Sequence, residues 1–157
     1  MLYEREFDSI AFTISRELRS MGTIFSAINP EIELASWLTL DDIQSNRQSL
    51  NQSLDPLQIG AIRWNLNDLV PPHKHLPADR TTTTTQEAWI LISGSIACRI
   101  YDLNDTFLVE ILLTSGSCIV LKNGGHELIC KENDTVMYEV KNGEYFGPTR
   151  DKKSIPS

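Results

Sequence analysis

Histidine and glutamate side chains give this chain its clearest capacity for metal chemistry. The three histidines lie in two short segments, with His73 and His75 in Pro-Pro-His-Lys-His and His126 in Asn-Gly-Gly-His. Residues i and i+2 of a strand share a face, so His73 and His75 can bind one ion together. Glu87 opens an apolar run and supplies a carboxylate. Because histidine is the commonest protein metal ligand, we expect these four side chains to form one mononuclear site.

The predicted ligands limit the choice of metal ion only partly. Three neutral imidazoles and one carboxylate suit Fe, Mn, Ni, Cu or Zn, and ligand identity does not separate these ions. The alternative for any single histidine is a hydrogen-bonded position in the core or in a turn. The metal hypothesis therefore depends on the four side chains taken together.

Length and charge limit the classes of protein that fit. A chain of 157 residues suits a single domain. The net charge of -7 disfavours nucleic acid, whose affinity comes mainly from cationic contacts to phosphates. No apolar stretch approaches the roughly 20 residues that span a bilayer. The charged N-terminus, with Glu4, Arg5 and Asp8, does not suit a signal peptide, so we expect a cytoplasmic protein without membrane contact.

The pattern from residue 57 onward predicts short strands. Apolar runs and alternating segments are separated by turn signals about every ten residues, which favours an all-β sandwich or barrel. In the first part, residues 10–16 and 23–28 predict a hairpin, and residues 39–49 predict a short helix whose first turn carries Asp41 and Asp42. The three cysteines, which have no short pair spacing, are predicted to be buried thiols.

Strand parity predicts which side chains point into the core. In the strand that His126 opens, His126 shares its face with Leu128 and Cys130, whereas Glu127 lies opposite. Glu87 shares its face with Trp89 and can also point inward. The aromatic residues Trp89 and Phe107 are predicted to be core residues.

At this point the chain resembles the cupin superfamily, and in particular its small single-domain bacterial metalloproteins of unassigned activity. The resemblance covers residues 57–151. It rests on these motifs: His73-Lys74-His75, Thr85-Gln86-Glu87, Ser93-Gly94, Gly124-Gly125-His126 and Lys141-x-Gly143-x-Tyr145-x-Gly147. It implies a jelly-roll barrel, the double-stranded β-helix, over residues 57–151. Residues 1–56 would add N-terminal strands and one short helix, and residues 152–157 a tail, all in one domain.

The resemblance also implies the ligands His73, His75, Glu87 and His126. In the superfamily the Glu follows the His pair closely, whereas here residues 76–86 intervene and form a longer loop. Asp79 in that loop is the alternative carboxylate. Arg80 and Tyr145 are the candidate catalytic residues beside the ion, since an Arg can clamp a carboxylate bidentately. Threonines 81–85 either line the mouth of a pocket or form a solvated loop.

The resemblance leaves three functions open. The first is a metal-dependent oxygenase or isomerase acting on a small carboxylate or sugar-like molecule. The second is a small-ligand binding protein without turnover. The third is a metal-independent nucleotide-sugar ketoisomerase that uses the His pair as acid and base. The resemblance also implies a homodimer formed through the N-terminal strands, and two-fold dimers are the commonest oligomers. The apolar residues available for such an interface are Ile24, Phe25, Ile28, Trp37 and Leu38.

Overall fold

The computed structural model describes residues 16–17, 20–44, 47–144 and 146–156, and strands make up most of the regular secondary structure in these residues. The strands are β1 (Arg16–Glu17), β2 (Gly22–Phe25), β3 (Glu33–Leu38), β4 (Gln48–Ser49), β5 (Gly60–Ala61), β6 (Glu87–Ser93), β7 (Ser95–Tyr101), β8 (Phe107–Thr114), β9 (Cys118–Leu121), β10 (Gly125–Cys130) and β11 (Val136–Lys141). A 3-10 helix spans Leu40–Asp42, and a four-residue helix, α1, spans Pro148–Asp151. The all-β fold class is confirmed for these residues.

Two larger sheets form the body of the structure. One has the strand order β1-β8-β7-β10 and the other has the order β11-β6-β9-β3-β2, while β4 and β5 form a small ribbon. The pairings are antiparallel except that of β1 with β8. Strands β2 and β3, from residues 22–38, therefore belong to the same sheet as strands from the predicted barrel region.

The main core lies between the two larger sheets. Both sheets contribute fully buried apolar side chains to one cluster: Leu34, Ala35, Trp89, Leu91, Ile96, Cys98, Ile100, Ile111, Leu113, Ile119 and Leu121. Along β6, the inward Glu87, Trp89 and Leu91 alternate with Ala88 and Ile90, which pack in a second cluster on the other face. Strand alternation thus fixes the face on which each β6 side chain lies.

Parity fails at two strand ends. Phe107 is 42% exposed and packs edge-on against Tyr101, so its predicted core position is wrong. A register shift between Ile100 and Tyr101 interrupts the β7–β8 pairing beside it, and such a bulge changes which way the following side chains point. Cys130, at the end of β10, is exposed, so only Cys98 and Cys118 are buried as predicted.

The N-terminal region matches the predictions in part. Residues 10–15 of the predicted hairpin lie outside the described residues, and β2 pairs with β3 within them. The predicted helix begins after Thr39, whose backbone N–H donates to the Asp42 carboxylate at 2.8 Å, but it is only the short 3-10 turn. Phe25 and Ile28 are exposed and Leu38 is buried. No helix in the described part of the chain has the length and apolar composition of a membrane-spanning segment.

Candidate functional site

Glu87 is the buried acidic residue at the centre of the candidate site. Glu87 is the first residue of β6 and is only 6% exposed. Its neighbours in the sheet are Lys141 of β11 and Leu121 of β9. Residues directly opposite each other in an antiparallel pair have adjacent side chains. Lys141 Nζ accordingly lies 3.2 Å from Glu87 Oε1. The strand register therefore places an ammonium group on one oxygen of this buried carboxylate.

His126 approaches Glu87 from the other sheet. It is the second residue of β10, and its Nε2 lies 3.3 Å from Glu87 Oε2. Its side chain is 30% exposed, and its ring stands edge-on to Trp89 with centroids 5.1 Å apart. Both oxygens of Glu87 thus have a nitrogen neighbour, and His126 connects the buried carboxylate with the protein surface. The predicted inward direction of His126 is confirmed.

The loop before β10 allows this approach. Gly124 has a φ of +71°, and a Cβ at this position would overlap the carbonyl oxygen of Tyr101. A positive φ and a close backbone contact both favour glycine. The Asn-Gly-Gly segment therefore brings β10 against β7 and sets His126 opposite Ile100.

The contacts with His126 and Lys141 hold Glu87 in its charged form. The hydrogen bond with His126 outweighs the effect of burial and, together with the attraction of Lys141, lowers the pKa of Glu87 from 4.5 to about 2. Burial by itself lowers the pKa of Lys141, but the combined effect of the hydrogen bonds with Glu87 and Asp151 is larger, so the pKa of Lys141 is raised. Asp151 Oδ2, at the end of α1, lies 3.2 Å from Lys141 Nζ. The site is a chain of ionisable groups that runs from His126 through Glu87 and Lys141 to Asp151.

A cavity of about 1110 Å³ adjoins these groups. Glu87, Leu121, His126 and Lys141 line it on the inner side, and residues 151–156 line it near the C-terminus. Its volume is sufficient for a small organic molecule, since ligand pockets commonly measure about 300–1,000 Å³. A partly exposed imidazole beside an ionised carboxylate can exchange protons with a molecule held there.

A second charged cluster lies on the opposite face of the four-stranded sheet. Arg99 lies 2.8 Å from Glu110 and 3.1 Å from Glu127, and the Tyr101 hydroxyl donates to Glu127 at 3.1 Å. Glu127 is therefore turned away from Glu87, as parity predicts. These side chains border the same cavity at its exposed side.

The predicted histidine pair lies elsewhere. His73 and His75 are exposed in residues 62–86, which are all described and contain no helix or strand. Their rings are 5.4 Å apart, and His73 Nδ1 lies 2.9 Å from the Pro71 carbonyl oxygen. Neither residue lines the cavity. The structure thus brings together Glu87 and His126 of the four predicted ligands, and it brings His73 close to His75, but not the two pairs.

This donor set does not fit a metal ion as arranged. Across residues 16–17, 20–44, 47–144 and 146–156, no three histidine, cysteine or acidic side chains converge on one point. The ammonium group of Lys141 also contacts Glu87 Oε1, and it would repel a cation bound to this carboxylate. An ion held by all four predicted ligands requires the 62–86 segment to move toward Glu87 and His126.

Of the other candidate residues, only Thr85 lines the cavity, and Tyr145 is not described. Asp79, Arg80 and threonines 81–84 are exposed in the 62–86 segment, whereas Thr85 lines the cavity. Tyr145 lies outside the described residues. Asp151 was not predicted, because nothing in the sequence relates a residue of the last turn to β11. The pairing of Lys141 with Glu87 has a weak signal, since opposite charges favour facing positions on neighbouring strands.

The buried indole of Trp89 is the remaining unusual group beside His126. Its Nε1 is buried and has no hydrogen-bond acceptor in the described part of the chain. A buried donor without an acceptor costs about 1–3 kcal/mol, so native structures contain few of them.

No protein-family model, curated protein or solved structure matches this chain. The class that the structure itself defines is an all-β protein of two packed sheets, with a charged cavity beside Glu87 and His126.

Proposed function

We propose that this chain is a cupin-like jelly-roll protein that binds a small carboxylate or sugar-like molecule in the cavity beside Glu87 and His126. In this proposal His126 transfers a proton to or from the bound molecule, and Glu87 orients the imidazole. The proposal is metal-independent, and it is closest to the acid–base isomerase alternative, with His126 acting in place of the His pair.

One observation carries the proposal. Glu87 is buried but ionised, and it contacts both the imidazole of His126 and the ammonium group of Lys141 at the wall of a cavity. Burying charges is unfavourable unless they are paired, so such a cluster is a costly way to build a core. Clusters of perturbed ionisable groups in a cavity are typical of functional sites.

The 3-His/1-Glu metal site stays a prediction. It would place Fe, Mn, Ni, Cu or Zn at His73, His75, Glu87 and His126, and it would favour oxygenase or metal-dependent isomerase chemistry. The described arrangement supports only the half of this site that Glu87 and His126 form. The metal-independent function is therefore the better supported of the two.

Binding is tested by NMR of the three histidine Cε1–H signals. The signals are assigned with the variants His126→Gln and His73→Gln, and acetate, pyruvate, glycerate and xylose are then titrated. We expect at least one compound to move the His126 signal in a saturable way and to leave those of His73 and His75 in place. No movement of the His126 signal with any compound would contradict the proposal.

Catalysis is tested separately from binding. A base that removes a proton from carbon beside a carbonyl group exchanges that proton with solvent, so the protein in D₂O should incorporate deuterium into the compound that binds. His126→Gln should lose this exchange, whereas Glu139→Gln, an exposed change on β11, should keep it. Binding without exchange would favour the non-catalytic binding protein.

A further inference from the structure

The C-terminal segment contributes to the cavity in a way that the proposed function does not explain. Residues 152–156, here called the strap, contain no helix or strand and line the cavity together with Asp151. Lys152, Lys153, Ser154 and Pro156 are exposed, whereas Ile155 is half-buried. The strap therefore lies over the cavity with one apolar side chain turned inward.

Few interactions hold the strap in place. Within the described residues, no backbone hydrogen bond joins it to a strand. The one ion pair that it forms with the described residues, between Lys153 and Asp105 at 3.5 Å, has a lysine side chain that is 85% exposed, and exposed ion pairs contribute little. A segment without backbone pairing and with few buried contacts belongs to the least stable part of a fold.

Ile155 is the main anchor, and β10 is shaped to receive it. Ile155 packs over Gly125, and a Cβ at that position would overlap its Cδ1 atom. Gly125 is not in the left-handed region, so its backbone conformation does not require glycine. The absence of a side chain at residue 125 thus makes room for Ile155, directly beside His126.

Asp151 adds the second anchor. Its carboxylate lies 3.2 Å from Lys141 Nζ, on the ammonium group that also contacts Glu87. Both partners are largely buried, with side chains 16% and 10% exposed. A charge-assisted hydrogen bond in such a place is stronger than one at the surface. Asp151 therefore occupies a position at the cavity wall where another carboxylate would be stabilised in the same way.

We propose that residues 151–156 are an internal competitor for the cavity: the ligand is a carboxylate that replaces Asp151 at Lys141 while the strap detaches from Gly125. This inference rests on the proposed function and narrows its ligand from a carboxylate or sugar-like molecule to a carboxylate. A neutral sugar hydroxyl cannot replace the charge that Asp151 brings to Lys141.

The binding arm of the test uses malonate, a small dicarboxylate, and measures its Kd by calorimetry. Asp151→Ala should bind malonate about tenfold more tightly than wild type, since one charge-assisted hydrogen bond no longer competes. The matched control Asp41→Asn, an exposed carboxylate outside the cavity, should leave the Kd unchanged. Lys141→Met in the Asp151→Ala background should abolish binding.

The strap arm needs no ligand. Diethyl pyrocarbonate modifies accessible imidazoles, and mass spectrometry separates the His126 peptide from the peptide with His73 and His75, which serves as the internal standard. Ile155→Ser should raise the modification rate of His126 by about threefold as the strap opens. Leu66→Ser, which changes an exposed side chain of the 62–86 segment, should not alter it.

A double-mutant cycle tests whether the change in the His126 modification rate depends on the contact between Ile155 and Gly125. Gly125→Ala should displace the Ile155 side chain and raise the His126 modification rate, but it should add nothing in the Ile155→Ser background. Unchanged or weaker malonate binding by Asp151→Ala, or an unchanged His126 rate in Ile155→Ser, overturns the inference. If only a neutral sugar moves the His126 NMR signal, the inference fails while the proposed function stands. If no compound moves that signal, the proposed function fails as well.

Discussion

Replacing Glu87 by glutamine keeps the shape of the side chain but removes the charge that His126 and Lys141 stabilise. The pKa of Glu87 is lowered from 4.5 to about 2 in the folded protein, which corresponds to about 3 kcal/mol of stability at neutral pH. Lys141 would keep its ion pair with Asp151. We therefore expect Glu87→Gln to be less stable than wild type by about 2–3 kcal/mol at pH 7.

The pH dependence of this difference is the sharper part of the prediction. A carboxylate with a lowered folded pKa contributes stability that is fully present above its unfolded pKa and is lost as the pH falls through the folded pKa. For Glu87 the loss begins near pH 5 and continues toward pH 2, and it reaches about 2 kcal/mol by pH 3. Wild type and Glu87→Gln should thus converge in stability as the solution becomes acid.

The measurement is urea unfolding of both proteins at constant ionic strength between pH 7 and pH 3. The pKa values of Asp42, Asp55 and Asp102 are also lowered, so both proteins lose stability in acid, and only the difference between them reports on Glu87. Glu139→Gln, which changes an exposed carboxylate on β11, is the control and should follow wild type throughout. A gap between wild type and Glu87→Gln that stays constant from pH 7 to pH 3 would refute the reasoning.

Three further predictions concern other charged groups and the metal. Lys122 is buried between Glu33 and Asp55, and Lys122→Met should lower the free energy of unfolding by about 3 kcal/mol or more, because two carboxylates lose their counter-ion. Chemical denaturation checks this, with the exposed change Lys131→Met as the control. In the same assay Glu127→Ala should lower the free energy of unfolding by less than about 1 kcal/mol, since the ion pair of Glu127 with Arg99 is half exposed. A larger loss would mean that this charged cluster stabilises the sheet. The protein is incubated with Zn²⁺ or Fe²⁺ and passed through gel filtration, and elemental analysis should then find less than one equivalent of bound metal. One full equivalent in wild type that is lost in His73→Ala would favour the 3-His/1-Glu site.

Parity predicted the inner half of the candidate site because that half lies within regular strands. Glu87 opens an apolar run and His126 follows a glycine turn, so their positions relative to Trp89 and Leu128 suffice to place both on the inward face. The same argument failed for Phe107, where a bulge in the β7–β8 pairing shifts the alternation. Periodicity is informative only as long as the ladder is regular.

The histidine pair shows a different limit. His73 and His75 share a face only if their segment is a strand, and a strand needs a partner. Pro71 and Pro72 precede them and lack backbone N–H groups, and residues 62–86 pair with no described strand. The rule that residues i and i+2 share a face holds for strands, but the segment that contains His73 and His75 is not a strand.

The contacts of Lys141 depend on long-range pairing that no local pattern reveals. A register shift between Val136 and Met137 decides that Lys141, and not a neighbouring residue, faces Glu87. Without that pairing Glu87 would keep its contact with His126 but lose the ammonium group of Lys141. Asp151 would then lose the cation that it contacts at the cavity wall. The contact of Glu87 with Lys141 and the anchoring of the C-terminal segment thus both follow from one strand register. A substitution that restored regular pairing at Met137 would disturb both together, although it would touch none of the charged groups.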